Sequence, residues 1–161
     1  MVIIMMGVAG AGKTTIGHAL AAELGWTFVD ADVLHSEHSL QKLGSGVPLN
    51  EADRAPWIAR LHAVIERAIG RREHTIVACS ALKERYRHAL RGDLHPVRFV
   101  YLKADAALVR HRLANRPRHL PGAALVDSQL ADLEEPNDAL VIDASWTPER
   151  ILGTIREAFG V

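Results

Sequence analysis

The stretch GVAGAGKT at residues 7–14 constrains the chain more than any other feature. A glycine, four further residues and then Gly-Lys-Thr is the spacing of a phosphate-binding loop. An apolar run, Val2–Met6, precedes the loop, and apolar residues recur at helical spacing after it, at Ile16, Leu20 and Leu24. Because the motif works only between a strand and a helix, this setting supports it. We therefore expect a site for a nucleoside triphosphate with magnesium.

Each part of this loop has a chemical reason. Glycines let backbone N–H groups curl around phosphate oxygens, and the following helix adds the positive end of its dipole. Lys13 is expected to reach the β- and γ-phosphates, and Thr14 to offer its hydroxyl to magnesium. The residues predicted to bind the nucleotide here are Gly7, Val8, Ala9, Gly10, Ala11, Gly12, Lys13, Thr14 and Thr15.

Short apolar runs alternate with helical patterns along the whole chain. This alternation predicts an α/β fold, a doubly wound parallel sheet of five strands with helices on both faces. The 161 residues fit a single domain, and we find no linker or internal repeat. The predicted strands are Val2–Met6, Trp26–Val29, Thr75–Cys79, Arg98–Leu102 and Leu140–Asp143.

The composition argues against several classes of protein. The formal net charge is zero, whereas a chain that wraps nucleic acid normally carries a basic excess. No apolar run approaches the ~20 residues of a membrane span, and the opening MVIIMM is too short for a signal-peptide core. The single cysteine allows no internal disulfide. We expect a soluble cytoplasmic protein that binds neither nucleic acid nor a membrane.

Two carboxylates follow the second predicted strand, in the sequence DADVLHS at residues 30–36. Strand alternation would turn Asp30 and Asp32 to the same side, at the edge of the sheet where ligands bind. Like charges side by side need positive partners. Asp30 could hold magnesium through its bound water, and Asp32 could take the proton of an acceptor hydroxyl. Alternatively, the pair is merely solvated and caps the next helix.

An arginine lies near the start of a helix that Asn50 can cap. The helix dipole gives no reason for a cation at Arg54, but a guanidinium there could grip a carboxylate or phosphate through two parallel bonds. The alternative is that Arg54 pairs with Glu51 or Asp53 on a solvated face. We expect residues 35–60 to bind the acceptor; within them, residues 35–50 lack a regular pattern and are predicted to form a loop.

Further basic residues follow the third strand and a later helix. Lys83, Arg87 and Arg91 lie four apart, either on an ordinary exposed face or in an anion site, and Lys83 lies nearest the strand end. Arg112 and Arg116 either complement the end of a helix or belong to a lid over the triphosphate, at about residues 116–124. Cys79 is expected to be buried and not a nucleophile.

Taken together, these motifs resemble one family, the gluconate kinases (gluconokinases) of the small phosphate-loop type. The resemblance covers roughly residues 2–143, through GVAGAGKTT, DADVLHS, GSGVPLNEADRAPW, CSALKERYR and LVDSQLADLEEP. It implies a fold like that of nucleoside-monophosphate kinases and magnesium-dependent use of ATP. It also implies a small sugar acid as acceptor, D-gluconate phosphorylated to 6-phospho-D-gluconate, and a homodimer.

The resemblance completes the set of predicted site residues. Lys13, Asp32 and Arg116 are expected to be catalytic, Arg112 and Arg116 to bind ATP, and Thr14 and Asp30 to bind Mg²⁺. The residues expected to bind the acceptor are Asp32, His35, Arg54, Lys83, Arg87 and Gln129. Two alternatives stay open: another small-molecule kinase of the same fold, similar to shikimate kinase, or a nucleotide-binding module without turnover.

Overall fold

The computed structural model has a sheet of five parallel strands in the order β2-β3-β1-β4-β5. It describes residues 1–114 and 123–161. The predicted α/β class, with a doubly wound five-stranded parallel sheet, is confirmed. The strands are β1 (Val2–Met6), β2 (Thr27–Asp30), β3 (Thr75–Ala78), β4 (Val97–Lys103) and β5 (Leu140–Asp143).

Helices connect successive strands, as crossovers between parallel strands require. Within the described residues they are α1 (Lys13–Leu24), α2 (Glu37–Gly44), α3 (Glu51–Gly70), α4 (Glu84–Arg91), α5 (Ala106–Ala114), α6 (Ala123–Asp132) and α7 (Pro148–Phe159). A short 3₁₀ turn, Ala31–Leu34, follows β2. No helix in these parts of the chain is long and apolar enough to cross a bilayer.

Each face of the sheet carries its own hydrophobic core. Alternate residues of β1 point to opposite faces, and all five are buried because β1 is the central strand. Ile3 and Met5 pack with α1 and α7 on one face, whereas Ile4 and Met6 pack with Leu61 of α3 on the other. Helices on both faces are therefore confirmed, and the carboxyl ends of the strands are left to form a site.

The predicted caps of two helices are present. Asn50 and Asp53 form a reciprocal capping box at the start of α3, with the Asn50 side chain accepting from the Asp53 N–H at 2.9 Å and the Asp53 side chain from the Asn50 N–H at 3.0 Å. Thr147 caps α7, where Pro148 occupies the first turn. These caps fix where the helices begin, and the first of them places Arg54 beside the sheet edge.

The structure corrects two expectations near the site. Residues 35–50 are not one irregular loop, because residues 37–44 form α2, whose N-cap Ser36 accepts the Ser39 N–H at 3.2 Å. In addition, β2 ends at Asp30, and Asp32 lies in the 3₁₀ turn. The alternation argument for the two carboxylates was therefore wrong, although both side chains still reach one cavity.

The packing of α1 on the sheet predicts the effect of one substitution. A Cβ at Gly17 would lie 2.9 Å from the Phe28 ring, with Ile76 and Met5 at 3.4 Å. Gly17→Ala should overpack this contact, which typically costs about 1–3 kcal/mol and exceeds the ~1 kcal/mol gained in helix propensity. Chemical denaturation measures the change in the free energy of unfolding.

Gly153→Ala is the matched control for this measurement. Gly153 lies within α7, and nothing lies within 4 Å of a Cβ added there. This variant should gain up to ~1 kcal/mol from helix propensity. Equal effects of the two substitutions would show that α1 does not pack as closely as described.

Candidate active site

A cavity of about 380 Å³ opens at the carboxyl ends of β1, β2 and β3. Its walls come from the phosphate loop, the 3₁₀ turn, α2, α3, the segment between β3 and α4, and α6. Ligands of doubly wound folds bind at this edge of the sheet. Most of the predicted site residues line it, namely Ala9, Gly10, Lys13, Thr14, Asp30, Asp32, His35, Arg54, Lys83 and Gln129.

The phosphate loop has the backbone that its glycines allow. Gly7 has φ of 138°, and a Cβ there would lie 2.8 Å from the Leu102 carbonyl oxygen, so no larger residue fits. Gly12, with φ of 104°, is the N-cap of α1, and no side chain caps the helix there. The Lys13 ammonium donates to the Val8 carbonyl at 3.0 Å, across the loop. The loop thus presents a helix start and an ammonium to an anion.

The two carboxylates after β2 are joined by the 3₁₀ turn. Asp30 Oδ1 accepts the Asp32 N–H at 3.1 Å, so Asp30 caps the turn that carries Asp32. Its other oxygen, Oδ2, accepts from the Thr14 hydroxyl at 3.2 Å. Asp30 therefore caps a turn, as the alternative expected, and it also contacts the threonine of the phosphate loop; its binding of magnesium stays a prediction.

Asp32 differs from Asp30 in its electrostatic surroundings. Its side chain is 75% exposed because it faces the open cavity. The pKa of the Asp32 carboxyl is raised from its ordinary value, chiefly because the cavity walls displace water, and further by Asp30, while Lys13 lowers it. A carboxylate with a raised pKa is a stronger base than an ordinary aspartate.

His35 lines the cavity beside Asp32. Its ring stacks on Trp57 with centroids 4.4 Å apart, and the side chain is only 5% exposed. Burial, together with Arg60 and Arg54, lowers the pKa of His35 to about 4. The imidazole is therefore neutral at pH 7, and its Nδ1 has no hydrogen-bond partner among the described residues.

Arg54 is held by an aromatic and acidic cluster. Its Nη1 donates to the Tyr86 hydroxyl at 3.2 Å, and that hydroxyl in turn donates to Glu51 Oε1 at 2.5 Å. Arg54 lies 3.9 Å from Glu51 and 3.5 Å from Asp132. The predicted alternative partner Asp53 pairs instead with Lys42 at 2.8 Å. The guanidinium is thus oriented while it lines the cavity.

Lys83 and Gln129 reach the cavity from different elements. Lys83, the N-cap residue of α4, lies 3.3 Å from Asp132 Oδ1. Gln129 of α6 accepts the Ala9 N–H through its side-chain oxygen at 2.6 Å. The structure thus places Gln129 on the phosphate loop itself, at the side of the cavity where Lys13 and Thr14 also lie.

Two of the basic residues predicted for the site, Arg87 and Arg112, do not line the cavity, and a third lies outside the described residues. Arg87 is 5% exposed and donates to the carbonyls of Ala81 and Leu82 at 3.1 and 3.0 Å, so it does not line the cavity, contrary to expectation. Arg112 donates to the carbonyls of Ala11 at 3.0 Å and Ala144 at 2.6 Å, bridging the phosphate loop and the β5–α7 connection. Arg116, with most of the predicted lid 116–124, lies outside the described residues.

Cys79 is buried, as expected, and its burial argues against a role as nucleophile. The thiol lies at the carboxyl end of β3, is buried, and has its pKa raised to about 12 by that burial. It is therefore protonated at neutral pH. The described residues also contain no group of three or more His, Cys, Asp or Glu side chains that could hold a metal.

Sequence reasoning missed several residues that line the cavity, and three of them contact predicted site residues. Trp57 stacks on His35 and donates to the Ala31 carbonyl at 2.7 Å, and its spacing from Arg54 on α3 could have indicated it. Tyr86 orients Arg54 from α4. Asp132 lies at the end of α6, and no local pattern indicates that it meets cations from two other elements.

Comparisons with known proteins indicate one family of kinases. A family model described as an AAA domain matches residues 2–136. The gluconokinase of Gluconobacter oxydans (strain 621H) is 42% identical over 136 residues, which cover 84% of this chain and 76% of that protein. A crystal structure of a sugar kinase from Janibacter sp. HTCC2649 is 36% identical with a TM-score of 0.92, covering 99% of this chain and 94% of that chain. A gluconokinase structure from Sinorhizobium meliloti 1021 is 31% identical with a TM-score of 0.82, covering 98% and 94%.

The fold, the phosphate loop and the cavity beside it define the class of small phosphate-loop kinases. The sequence identity with the Gluconobacter oxydans gluconokinase covers most of each protein and narrows the class to one family. The chain belongs to the gluconokinase family. The resemblance drawn from the motifs is thereby confirmed, and the alternative of a nucleotide-binding module without turnover is not supported.

The buried imidazole predicts how stability depends on pH. The pKa of His35 is about 4 in the folded protein against 6.5 ordinarily, so the unfolded chain binds more protons between these values. Stability should fall as the pH drops from about 6.5 towards 4, by about 1.4 kcal/mol for each pH unit, or a few kcal/mol in all. Denaturation curves across this range measure it.

His35→Phe keeps a ring for Trp57 and removes the titrating group. The difference in stability between this variant and the wild type should change across the same range of pH. His74→Phe is the control, because His74 is exposed and stacks on Trp26 away from the cavity. A constant difference for His35→Phe would show that His35 is not held neutral by burial.

Proposed function

We propose that this chain transfers the γ-phosphoryl group of ATP to D-gluconate, giving 6-phospho-D-gluconate and ADP. One observation carries the proposal: two cations, Arg54 and Lys83, converge on a single carboxylate inside the cavity that also contains the phosphate loop and Asp32. A site that phosphorylates a sugar acid needs cations to bind the carboxylate and a base to activate the hydroxyl, both close to the phosphate loop. Membership of the gluconokinase family supports the same acceptor.

The phosphate loop and α1 bind the nucleotide. Loop N–H groups and the start of α1 surround the phosphates, and the Lys13 ammonium exchanges its bond to the Val8 carbonyl for phosphate oxygens. Arg112 fixes the loop through the carbonyls of Gly10 and Ala11. Its contribution to ATP binding is therefore to hold the loop and the neighbouring β5–α7 connection together.

The pair Thr14 and Asp30 fits magnesium. A hydroxyl and a carboxylate oxygen lie 3.2 Å apart, and both are the hard oxygen ligands that Mg²⁺ prefers. Magnesium bound there with the phosphates supplies neutralisation of the charge that shifts during transfer. Asp30 also keeps Asp32 in place through the capping bond to the Asp32 N–H.

Asp32 orients the primary hydroxyl of the acceptor and accepts its proton. Its carboxylate faces the open cavity, and its raised pKa suits it to take a proton from a hydroxyl as the bond to phosphorus forms. The proton moves to Asp32, the acceptor oxygen bonds to the γ-phosphorus, and the bond to the β–γ bridging oxygen breaks, leaving ADP. The transfer needs no further reactant.

The remaining contacts orient the sugar acid. Arg54 and Lys83 take the carboxylate, and Tyr86 keeps the Arg54 guanidinium facing the cavity. His35, neutral and with an unpartnered Nδ1 among the described residues, can exchange hydrogen bonds with a hydroxyl without adding charge. Gln129 lies where the phosphate loop meets the acceptor.

Several finer features stay predictions that accompany this proposal. They are the part of Arg116 in stabilising the transferring group, a lid at about residues 116–124, a homodimer and a cytoplasmic location. The shikimate kinase-like alternative concerns the acceptor alone, because it shares the fold.

The acceptor is tested by coupled ADP release with ATP and magnesium. Gluconate, other aldonic acids, D-sorbitol and shikimate are compared under the same conditions. We expect the highest kcat/KM with gluconate. Preferential turnover of shikimate, or none with any aldonic acid, would contradict the proposed function.

Asp32→Asn should lower kcat by about a hundredfold to ten thousandfold, because the amide keeps the size and removes the base. ATP binding should stay close to that of the wild type. The wild-type kcat/KM should decline as the acidic pH protonates Asp32, with an apparent pKa above that of an ordinary aspartate. An Asn variant with wild-type turnover would show that Asp32 does not accept the proton.

Arg54→Lys should raise the KM for gluconate and lower kcat/KM by about tenfold or more, since lysine cannot form two parallel bonds with a carboxylate. ATP affinity should be nearly unchanged, and any turnover of D-sorbitol should be indifferent to the substitution.

Arg60→Lys is the matched control for Arg54→Lys. Arg60 also lies on α3, but its guanidinium donates to the Leu34 carbonyl at 2.9 Å and does not line the cavity. It should leave the KM for gluconate unchanged. Equal losses for gluconate and sorbitol in Arg54→Lys would assign Arg54 to the fold or to the phosphates.

A further inference from the structure

The two cations assigned to the acceptor already share a carboxylate of the protein. Lys83 Nζ lies 3.3 Å from Asp132 Oδ1, and Arg54 Nη2 lies 3.5 Å from Asp132 Oδ2. Each carboxylate oxygen thus faces one cation. The carboxylate of a sugar acid held by the same two side chains would make the same pair of contacts.

The position of Asp132 on its helix does not favour a negative charge. It is the last residue of α6, where the helix dipole disfavours negative charge. Its distances to Lys83 and Arg54 exceed the ~2.7–2.9 Å of strong charge-assisted bonds. The side chain is 29% exposed and lines the cavity. The two cations therefore hold Asp132 loosely, at a place that a ligand can reach.

We propose that Asp132 is an internal competitor for the acceptor's carboxylate and thereby sets the affinity for the acceptor. The inference rests on the proposed function, because it takes Arg54 and Lys83 as the groups that bind the sugar acid. Binding is then an exchange in which one carboxylate replaces another between the same two cations, and Asp132 turns to water.

The exchange gives the two cations a carboxylate partner both before and after the acceptor binds. Asp132 offsets one of the two positive charges. The other nearby carboxylate, Glu51, lies farther from Arg54, at 3.9 Å, and also contacts Tyr86 and Arg85. A ligand that displaces Asp132 must satisfy both cations, which a neutral polyol cannot do. Removing the Asp132 charge should therefore strengthen the attraction for a sugar acid.

The opposite role for Asp132 would be to orient Arg54 and Lys83 for the acceptor. The two roles predict opposite signs for one substitution. If Asp132 competes, Asp132→Asn tightens gluconate binding. If Asp132 orients the cations, the same variant weakens it. A variant that merely disturbs the fold would also weaken binding, so tighter binding cannot arise from partial unfolding.

The test compares wild type, Asp132→Asn, Asp132→Glu and Asp127→Asn. Asp127 also lies on α6, but its carboxylate pairs with Arg110 outside the cavity, which makes it the matched control. Calorimetry measures the Kd of gluconate and of D-sorbitol for the nucleotide-free protein. Coupled ADP release measures kcat and the KM for gluconate and for ATP.

For Asp132→Asn we expect the Kd and KM for gluconate to fall about three- to tenfold, with kcat and the KM for ATP within about twofold of wild type. Gluconate affinity should also weaken more steeply with ionic strength than in wild type, because Arg54 and Lys83 then lack the opposing charge of Asp132. Asp132→Glu should return the Kd towards wild type, and Asp127→Asn should leave it unchanged.

The outcomes separate this inference from the proposed function. An unchanged or higher Kd for gluconate in Asp132→Asn, with active wild type, would overturn the exchange and leave gluconate phosphorylation in place. Tighter gluconate binding in Asp132→Asn, together with a wild type that releases no ADP on gluconate, would refute the reaction and support the exchange. Absence of both gluconate binding and turnover in all four proteins would overturn both.

Discussion

The close contact between Gly7 and the Leu102 carbonyl of β4 is the constraint on which the rest of the site depends. Because β1 is buried along its whole length between β3 and β4, its carboxyl end can leave the sheet only where Gly7 allows it. The loop then closes on α1, and the Lys13 ammonium crosses it to the Val8 carbonyl. The cavity lies beside this loop, so its chemistry begins with an anion site that the backbone itself builds.

The parts of the site that were predictable follow from local rules. The spacing of Gly7, Lys13 and Thr14 predicts the backbone conformation of the phosphate loop. The apolar runs predict strands that are buried on both faces. Asn50 predicts the start of α3, where it forms a capping box with Asp53, and this places Arg54 one turn into the helix at the sheet edge. Asp30 was correctly expected at the end of a strand, since ligands of such sheets meet strand ends.

The parts that were not predictable depend on contacts between distant elements. Asp32 reaches the cavity through a 3₁₀ turn that Asp30 caps. Strand alternation correctly predicted that Asp32 lies near Asp30 at the sheet edge, but Asp32 is not part of the strand. The glycines at residues 44 and 46 led to the prediction of a loop, although Ser36 is a suitable N-cap and begins α2. Arg87 belongs to a basic stripe in the sequence, yet burial directs it to backbone carbonyls. The meeting of Asp132 with Arg54 and Lys83 joins α6, α3 and α4, which no single segment encodes.

The orientation of the sugar acid in the cavity is the central claim, because it links the cation pair to the phosphate loop. A crystal structure with D-gluconate, magnesium and a non-hydrolysable ATP analogue measures it most directly. We predict that the gluconate carboxylate lies within hydrogen-bond distance of Arg54 and Lys83, with the terminal hydroxyl at Asp32 and facing the γ-phosphate. A gluconate bound the other way round, with its carboxylate at Asp32 or at the phosphate loop, would contradict the account.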